Sequence, residues 1–429
     1  MSWKAHFNKN TITAQQAVKK IKHNDKVVIA HAVGEPSHII DAMVADAQAY
    51  QNVELIHMVA MGKCEYCLPQ YRENFRHNAI FAGAGSKSAI AQGRADFTPC
   101  FFYQVPQLFH STLKPDVAMV MVTPPDENGF CSLGVSVDYT LEAVKTAKLV
   151  IAQVNAYMPR TAGESFVFAE DIDCFVLHDA PLIALQPPQI GSIEETIGSY
   201  CASLIKDGDT LQLGIGAIPD AVLSFLKEKR DLGIHSEMFS DGVVALAEAG
   251  VITNKKKTIH TGKYVATFLM GTQKLYSFVN NNPDVLILPV DYVNHPGIAA
   301  KNDNLVSINS CVQVDLMGQV CSEAIGSLQI SGVGGQVDFV RAAAMSRGGR
   351  SIIAMPSSTK GISKIVAKLD DGAPVTTSRC DVDYIITEYG IAHLKGKTLR
   401  ERAQALIGIA HPDFREELTQ EFKRRFGIV

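Results

Sequence analysis

One stretch, Leu211-Gln-Leu-Gly-Ile-Gly-Ala-Ile-Pro219, has the pattern of a short apolar strand, a glycine-rich loop and the first turn of a helix. It lies within residues 193–226, where an apolar helical face and a tight turn precede the strand. Residues 12–45 follow the same plan, with the strand Val27-Val-Ile-Ala30 and the loop His31-Ala-Val-Gly-Glu-Pro36. A unit of helix, turn, buried strand, loop and helix that occurs twice predicts two related α/β domains. Chance likeness of two α/β units is the alternative.

Further apolar runs have the length of buried parallel strands, which are covered on both faces and therefore lack polar alternation. These runs are Val53–His57, Asp116–Val122, Leu149–Val154, Val285–Val290, Ile352–Met355 and Tyr384–Thr387. Proline and glycine interrupt the periodicity in residues 186–191, and the charged helical pattern of residues 398–426 predicts a cap on the second domain. We predict an α/β fold of two duplicated domains, residues 1–187 and 188–429, with open, mostly parallel sheets and the active site between them.

The composition excludes several classes of protein. A chain of 429 residues with 47% hydrophobic and 20% charged residues is typical of a globular protein of two or three domains. A net charge of -4 gives no basic face for nucleic acid. The sequence contains no run of about 18 apolar residues, so no membrane span is predicted, and its first residues lack the pattern of a secretion signal. Nine scattered cysteines, including the pair Cys64 and Cys67, predict reduced thiols in a cytoplasmic protein and no metal site.

Glu237 is the candidate nucleophile. It lies in Gly233-Ile-His-Ser-Glu-Met-Phe-Ser-Asp-Gly242, between two glycines and shortly after the strand at Leu211. A carboxylate beside glycine-lined backbone can act on a substrate that approaches that backbone, whereas a solvated surface carboxylate is the alternative. His235, two residues earlier, would face the same side of an extended segment and could be a base for hydrolysis. The sequence has neither a G-x-S-x-G nor an H-E-x-x-H motif, so a serine hydrolase or a zinc hydrolase is poorly supported.

Three glycine-rich loops are candidates for binding an anion on backbone N–H groups. They are Gly214-Ile-Gly-Ala-Ile-Pro219, Ala82-Gly-Ala-Gly-Ser-Lys-Ser88 and Ser331-Gly-Val-Gly-Gly-Gln-Val-Asp-Phe339. The first lacks the third glycine of a dinucleotide fingerprint, and the other two do not have P-loop spacing. Lys360, which follows a strand and Pro356-Ser-Ser-Thr, could meet a phosphate; a solvated lysine is the alternative.

Several motifs occur in a characteristic order: Thr123-Pro-Pro-Asp-Glu-Asn-Gly-Phe-Cys-Ser-Leu-Gly134, the loop at Gly214, His235-Ser-Glu-Met-Phe-Ser-Asp-Gly242, Asp315-Leu-Met-Gly-Gln-Val-Cys-Ser-Glu323 and Gly332-Val-Gly-Gly-Gln-Val-Asp-Phe339. Together they resemble the acetyl-CoA hydrolase/transferase family of CoA-transferases along essentially the whole chain. Within that family the chain looks similar to the 4-hydroxybutyrate and butyrate CoA-transferases. The resemblance implies transfer of CoA between a short acyl-CoA, such as acetyl-CoA, and a small carboxylate, with 4-hydroxybutyrate favoured and butyrate the close alternative.

The resemblance also implies roles for individual residues. Glu237 would form a glutamyl-CoA thioester in a ping-pong reaction. The loop from Gly332 to Gln336, with Gly335 foremost, would supply oxyanion donors, and Asn309 would lie near the thioester. CoA, a substrate and not a permanently bound cofactor, would contact Gln212, Leu213, Gly214, Ile215, Gly216, Gly334, Gly335 and Lys360. The loop with Glu35 would help to shape the acyl pocket.

The partners expected from the resemblance are an acyl-CoA, a short-chain carboxylate and a second copy of the chain in a homodimer. Two other functions remain open. The first is a thioesterase that uses the same glutamyl thioester and lets water complete the reaction. The second is a sensor that binds acyl-CoA without turnover.

Overall fold

The computed structural model describes residues 2–427, so residues 1, 428 and 429, at the ends of the two predicted domains, lie outside it. The chain divides into two compact units. The first comprises Met1–Leu185 and Val265–Val293, and the second comprises Gln186–Tyr264 and Asn294–Val429. Residues 265–293, which lie inside the predicted second domain, thus belong to the first unit.

The helices, in chain order, are α1 (Trp3–Asn10), α2 (Ala14–Val18), α3 (Ser37–Ala45), α4 (Lys87–Ala91), α5 (Val105–Leu108), α6 (Thr140–Thr146), α7 (Ser192–Ser203), α8 (Ala217–Ser224), α9 (Asp241–Glu248), α10 (Gln273–Val279), α11 (Val290–Val293), α12 (Pro296–Ala299), α13 (Gln336–Met345), α14 (Leu399–Gly408) and α15 (Pro412–Phe426). Both predicted repeats contain their helices: α2 and α3 flank the first repeated strand, and α7 and α8 flank the second. Side chains begin some of these helices. Thr13 and Gln16, for example, form a capping box on α2, in which each accepts a backbone N–H at the helix start.

The strands, in chain order, are β1 (Lys26–Ile29), β2 (Val53–His57), β3 (Phe75–Ala79), β4 (Ala95–Phe97), β5 (Val117–Val122), β6 (Phe130–Ser132), β7 (Leu149–Val154), β8 (Ala162–Gly163), β9 (Phe166–Phe168), β10 (Cys174–Leu177), β11 (Thr210–Leu213), β12 (Gly233–Ile234), β13 (Tyr264–Ala266), β14 (Val285–Ile287), β15 (Leu305–Asn309), β16 (Gln313–Asp315), β17 (Val320–Cys321), β18 (Ala324–Ile325), β19 (Leu328–Gln329), β20 (Arg350–Ala354), β21 (Ser358–Thr359), β22 (Ile362–Ser363), β23 (Ile365–Val366), β24 (Tyr384–Thr387) and β25 (Gly390–His393).

The first unit is built on a seven-stranded sheet of order β10-β7-β5-β1-β2-β3-β4, in which every pair of neighbours is parallel. Each residue of β5 is buried, as expected for a strand covered on both faces. The predicted strand at Val285 is present as β14. It pairs with β8 in a separate three-stranded sheet of the first unit, outside the large sheet of the second.

The second unit is built on a six-stranded sheet of order β12-β11-β15-β20-β24-β25. Its neighbours are parallel except for the antiparallel edge strand β25. Residues of α14 and α15, including Leu406 and Phe422, belong to the same buried cluster as Ile353 and Ile385 of the sheet. The α/β class with duplicated, mostly parallel sheets is therefore confirmed. Because parallel strands place their carboxyl ends at one edge, the loops after β11, β12, β15 and β20 share that edge of the second sheet.

Candidate active site

Glu237 follows the short edge strand β12 and is half-buried. The chain just before it is tied to β11. The His235 N–H donates to the Leu211 carbonyl oxygen at 3.1 Å. The Leu213 N–H donates to Ser236 Oγ at 3.2 Å, and that hydroxyl donates back to the Leu213 carbonyl at 3.2 Å. The residues on the amino-terminal side of the carboxylate are thus held at the carboxyl end of the sheet.

His235 lies in different surroundings from Glu237. Its side chain is fully buried, and its ring packs edge-on against Phe339 of α13 with a centroid distance of 6.4 Å. This contact gives the imidazole a packing role in the core. The sequence-based hypothesis that His235 is a base for hydrolysis therefore gains no support from its position.

Asn294 orients the Glu237 carboxylate. Its Nδ2 donates to Glu237 Oε2 at 2.8 Å and to Asp338 Oδ2 at 3.3 Å. Asn294 and Asp338 are both buried, and Asp338 lies in the first turn of α13. An amide nitrogen carries two N–H groups and a carboxylate oxygen accepts, so one side chain links the two acids. Sequence reasoning missed Asn294, since an asparagine before His-Pro has the pattern of an ordinary turn residue.

Gly335 brings the start of a helix against the same carboxylate. It is the N-cap of α13, and a Cβ built on it would overlap Glu237 Oε2 and Asn294 Nδ2. Its φ of −95° is open to any residue, so contact with Glu237 explains this glycine. Gly334, by contrast, has a φ of +54°, where glycine avoids strain. The positive end of the α13 dipole favours a negative carboxylate at this position.

Gln212 and Asn309, both predicted site residues, lie in a closed network with Ser307. Gln212 of β11 and Ser307 of β15 are direct partners in the sheet, and the Ser307 hydroxyl donates to Gln212 Oε1 at 2.7 Å. Asn309 Nδ2 donates to Gln212 Oε1 at 3.0 Å and to Ser307 Oγ at 2.9 Å. The network fixes the amides at the carboxyl ends of two strands. The contribution of Ser307 was not foreseen.

The loop Gly214–Gly216 joins β11 to α8 beside this network. The Gly214 N–H donates to the Ile308 carbonyl at 3.4 Å, Ile215 is 43% exposed, and Gly216 caps α8 with a φ of +119°. A Cβ at Gly214 would meet no atom of the described chain within 4 Å. Gly216 is explained by its backbone conformation, but Gly214 is explained neither by packing nor by an unusual φ.

Lys360, another predicted site residue, lies in a hairpin of the second unit. It forms the tip of the β21–β22 hairpin together with Gly361, with φ values of +50° and +75°, as in a type I′ turn. Its side chain is exposed and makes no hydrogen bond or ion pair within residues 2–427. The hairpin follows β20, so Lys360 comes after the carboxyl end of a sheet strand, as the sequence predicts.

The Glu35 carboxylate, in the first unit, accepts hydrogen bonds from the backbone of a neighbouring loop. Its Oε2 accepts the N–H groups of Met61 at 3.0 Å and Gly62 at 3.1 Å. Burial raises the pKa of this carboxyl, and the two backbone N–H groups oppose that shift. Glu35 thus anchors the loop after β2 to the loop after β1.

The described residues contain neither a cluster of metal ligands nor a membrane-spanning helix. Within 2–427, no group of three or more histidine, cysteine or acidic side chains is arranged to hold a metal ion. Cys64 and Cys67, the pair noted in the sequence, are buried free thiols with sulfur atoms 3.7 Å apart. None of the helices in that part of the chain has the length and apolar character needed to cross a bilayer.

Comparison with known proteins gives two family-model matches, one in each half of the chain. The model of the acetyl-CoA hydrolase/transferase N-terminal domain matches residues 1–187, and that of the C-terminal domain matches residues 271–422. The 4-hydroxybutyrate coenzyme A transferase of Clostridium kluyveri is 61% identical over 429 residues, which cover 99% of this chain and 100% of that protein.

Two solved structures have the same fold. The crystal structure of RipA from Yersinia pestis superposes with a TM-score of 0.95 at 36% identity, over 100% of both chains. The 4-hydroxybutyrate CoA-transferase from Porphyromonas gingivalis gives a TM-score of 0.86 at 42% identity, over 99% of this chain and 100% of that one. Two parallel-sheet units and a carboxylate held at a helix start define an α/β protein of the CoA-transferase type. The chain belongs to the acetyl-CoA hydrolase/transferase family, and the resemblance drawn from its motifs is confirmed.

Proposed function

We propose that this enzyme, a CoA-transferase, moves CoA between acetyl-CoA, or another short acyl-CoA, and 4-hydroxybutyrate. The choice of 4-hydroxybutyrate as the acceptor rests on the 61% identity, over 99% of this chain and 100% of the relative, to a protein named 4-hydroxybutyrate coenzyme A transferase. The site supports the chemistry, because a carboxylate, a buried amide and a helix start converge at Glu237.

The first half-reaction would convert Glu237 to a thioester. Its carboxylate oxygen attacks the thioester carbonyl of acetyl-CoA, the carbon–sulfur bond breaks, and CoA leaves as the thiolate with a mixed anhydride on Glu237. The thiolate then attacks the glutamyl carbonyl carbon and acetate departs, leaving glutamyl-CoA. Covalent catalysis of this kind divides one difficult exchange into easier steps.

The second half-reaction would reverse these steps with a new acid. The 4-hydroxybutyrate carboxylate attacks the glutamyl thioester, CoA leaves and then attacks the acyl carbonyl of the new anhydride. 4-Hydroxybutyryl-CoA departs and the Glu237 carboxylate returns. Each tetrahedral intermediate carries an oxyanion, and N–H groups at Gly335 and the start of α13 are the candidate donors. One such donor is typically worth about 3 kcal/mol.

CoA would reach Glu237 past Gln212–Gly216 and Gly334–Gly335, with Lys360 near a phosphate. Gly214 supports this path, because a glycine that neither packing nor φ explains is compatible with close approach of a ligand to the backbone. The exposed ammonium of Lys360 supports the phosphate contact. CoA is a substrate in this scheme, and no permanently bound cofactor is required.

Two variations of the function rest on the same site. Butyrate lacks the hydroxyl of 4-hydroxybutyrate, and a pocket that makes no hydrogen bond to that hydroxyl discriminates the two acids by only about 1–3 kcal/mol. Hydrolysis of acetyl-CoA is the second, and the family's name covers it. A homodimer in the cytoplasm is proposed from the family resemblance; sedimentation velocity and cell fractionation test these two points.

The decisive experiment is intact-protein mass spectrometry after mixing with acetyl-CoA alone, followed by peptide mapping. We expect a CoA-sized adduct on the Glu237 peptide that 4-hydroxybutyrate discharges as its acyl-CoA faster than butyrate or water does. Glu237→Gln, which keeps size and removes the nucleophile, should form no adduct. Normal transfer by this variant would refute the covalent mechanism, whereas CoA release without any acceptor would favour the hydrolase.

A further inference from the structure

The strand that leads to Glu237 lies at the edge of its sheet. On its outer side, Leu232, just before the strand, forms an isolated parallel bridge with Ile252. In the six-stranded sheet, β12 is an edge strand paired with β11 alone. The Gly233 N–H donates to the carbonyl of Asp209, just before β11, and the His235 N–H donates to Leu211 of β11. The N–H and carbonyl of Ile234, which lies between them, therefore face away from the sheet. In an ordinary interior strand, a further strand would pair with them.

Two buried side chains take the place of that strand. Asn254 Oδ1 accepts the Ile234 N–H at 2.8 Å, and Lys257 Nζ donates to the Ile234 carbonyl at 2.7 Å. Both residues come from the segment after α9, and their exposed fractions are 0% and 3%. Both backbone groups of this one residue are therefore held by side chains of the same segment.

The aliphatic stem of Lys257 explains a glycine of the nucleophile motif. A Cβ added to Gly233 would lie 3.0 Å from Lys257 Cδ and closer still to Cγ. The φ of Gly233 is not in the left-handed region, so space, and not backbone conformation, requires glycine there. The stem packs against Gly233, and the amino group at its end donates to the carbonyl of Ile234.

The amino group of Lys257 donates hydrogen bonds to two backbone carbonyls. Nζ also donates to the Lys263 carbonyl oxygen at 2.7 Å. Burial lowers the pKa of Lys257 to about 7. The pKa of the neighbouring His260 is also lowered, by its own partial burial and by the Lys257 charge. A neutral amine has two N–H groups, which the two carbonyls satisfy, so the contacts persist whether or not the amine is charged.

We infer that Lys257 is a positioning residue for the reaction, which, with Asn254, fixes the edge strand that presents Glu237. The path is short: the Ile234 carbonyl is held by Lys257, His235 and Ser236 are hydrogen-bonded to β11, and Glu237 follows. The inference rests on the proposed function, since it assigns Glu237 the role of nucleophile. Catalysis is sensitive to such placement, because a misplacement of about 1 Å can cost about 100-fold in rate.

The test compares Lys257→Met with Lys257→Gln. The two new side chains are equal in length to each other, but only glutamine has an N–H donor. Lys255→Met, at an exposed neighbouring position, is the matched control. For each folded variant, three quantities are measured: the Kd for CoA, the rate of adduct formation on Glu237 from acetyl-CoA, and amide hydrogen exchange in residues 232–240. We expect Lys257→Met to slow adduct formation about tenfold or more, with a Kd for CoA within about twofold of wild type. Exchange in residues 232–240 should be faster, and Lys257→Gln should be intermediate.

Several results would overturn the inference. It fails if Lys257→Met and Lys257→Gln form the adduct at the wild-type rate, if exchange in residues 232–240 is unchanged, or if CoA affinity falls in step with the rate. If Lys257→Met does not fold, Lys257→Gln decides alone by the same readouts. If wild type and Lys255→Met form no adduct, the proposed function itself has failed, and hydrogen exchange still reports whether Lys257 holds the strand.

Discussion

Gly335→Ala tests the arrangement of the site with a single methyl group. Alanine keeps the backbone N–H and tolerates the φ of −95°, so neither an oxyanion donor nor the start of α13 is removed. The added Cβ, however, would overlap the Oε2 atom of Glu237 and the Nδ2 atom of Asn294. The variant therefore separates crowding of the nucleophile from loss of a hydrogen-bond donor.

The size of the effect follows from the contacts. The new Cβ would lie 3.0 Å from Glu237 Cδ, whereas ordinary contact begins at 3.4 Å. The carboxyl carbon must therefore move by about 0.4 Å, and Oε2, which is closer, by about 1.5 Å. Overpacking of this kind typically costs about 1–3 kcal/mol of stability, and a displacement of about 1 Å in a reacting group costs about 100-fold in rate.

The assay is the rate of adduct formation on Glu237 from acetyl-CoA, followed by rapid quenching and mass spectrometry, together with the Tm. Gly408→Ala, in α14, is the matched control, because a Cβ there meets no described atom within 4 Å. We expect Gly335→Ala to lose most of its rate and a few degrees of Tm, while Gly408→Ala keeps both. Adduct formation at the wild-type rate with an unchanged Tm would refute the close approach of Gly335 to Glu237.

Three further predictions concern buried polar contacts. Asn294→Ala removes the 2.8 Å hydrogen bond to Glu237 and should slow adduct formation about 10- to 100-fold, since a bond to a charged group contributes about 1.5–3 kcal/mol; an unchanged rate would argue against an orienting role. The pKa of Lys257 falls from 10.5 to about 7 on folding, so the unfolded chain binds more protons above pH 7 and stability rises with pH. In urea titrations, the unfolding free energy of wild type relative to Lys257→Met should rise by about 2 kcal/mol between pH 7 and 9. A difference between the two proteins that does not change with pH would contradict this. Arg350→Met leaves the buried Asp209 without its ion pair and should cost about 3–5 kcal/mol in unfolding free energy, part of which Asp209→Asn should restore.

The sequence predicts most of the two large sheets, because buried parallel strands are continuous apolar runs with a characteristic length. The run at Val285 shows the limit of this reasoning. Its composition predicts a strand, and β14 is one, but pairing with β8 places it in a small sheet of the first unit. Hydrophobic pattern determines that a segment is extended, whereas partner choice depends on contacts with residues far away in the chain.

The same limit applies to the site. The sequence predicts Glu237, Gly335 and Asn309 individually through motifs, but the hydrogen bond from Asn294, 57 residues from Glu237, has no local signal. Gln212 and Asn309 are brought together by the register of β11 with β15, which also adds Ser307. These groupings arise from strand order, so a list of motifs cannot supply them.

The glycines of the motifs help to identify the family, but the motif alone does not show why each position requires glycine. Gly233 leaves room for the Lys257 stem, Gly334 adopts a positive φ, and Gly335 admits the Glu237 carboxylate. Each has its own physical cause. Glu237 follows an edge strand, so a substrate can reach it, but side chains hold Ile234 of that strand where a further strand would pair in a sheet interior. Lys257 restrains this strand at Ile234, and Gly335 contacts the Glu237 carboxylate that follows it. We therefore expect substitution of Lys257 to affect the rate of thioester formation more than the affinity for CoA.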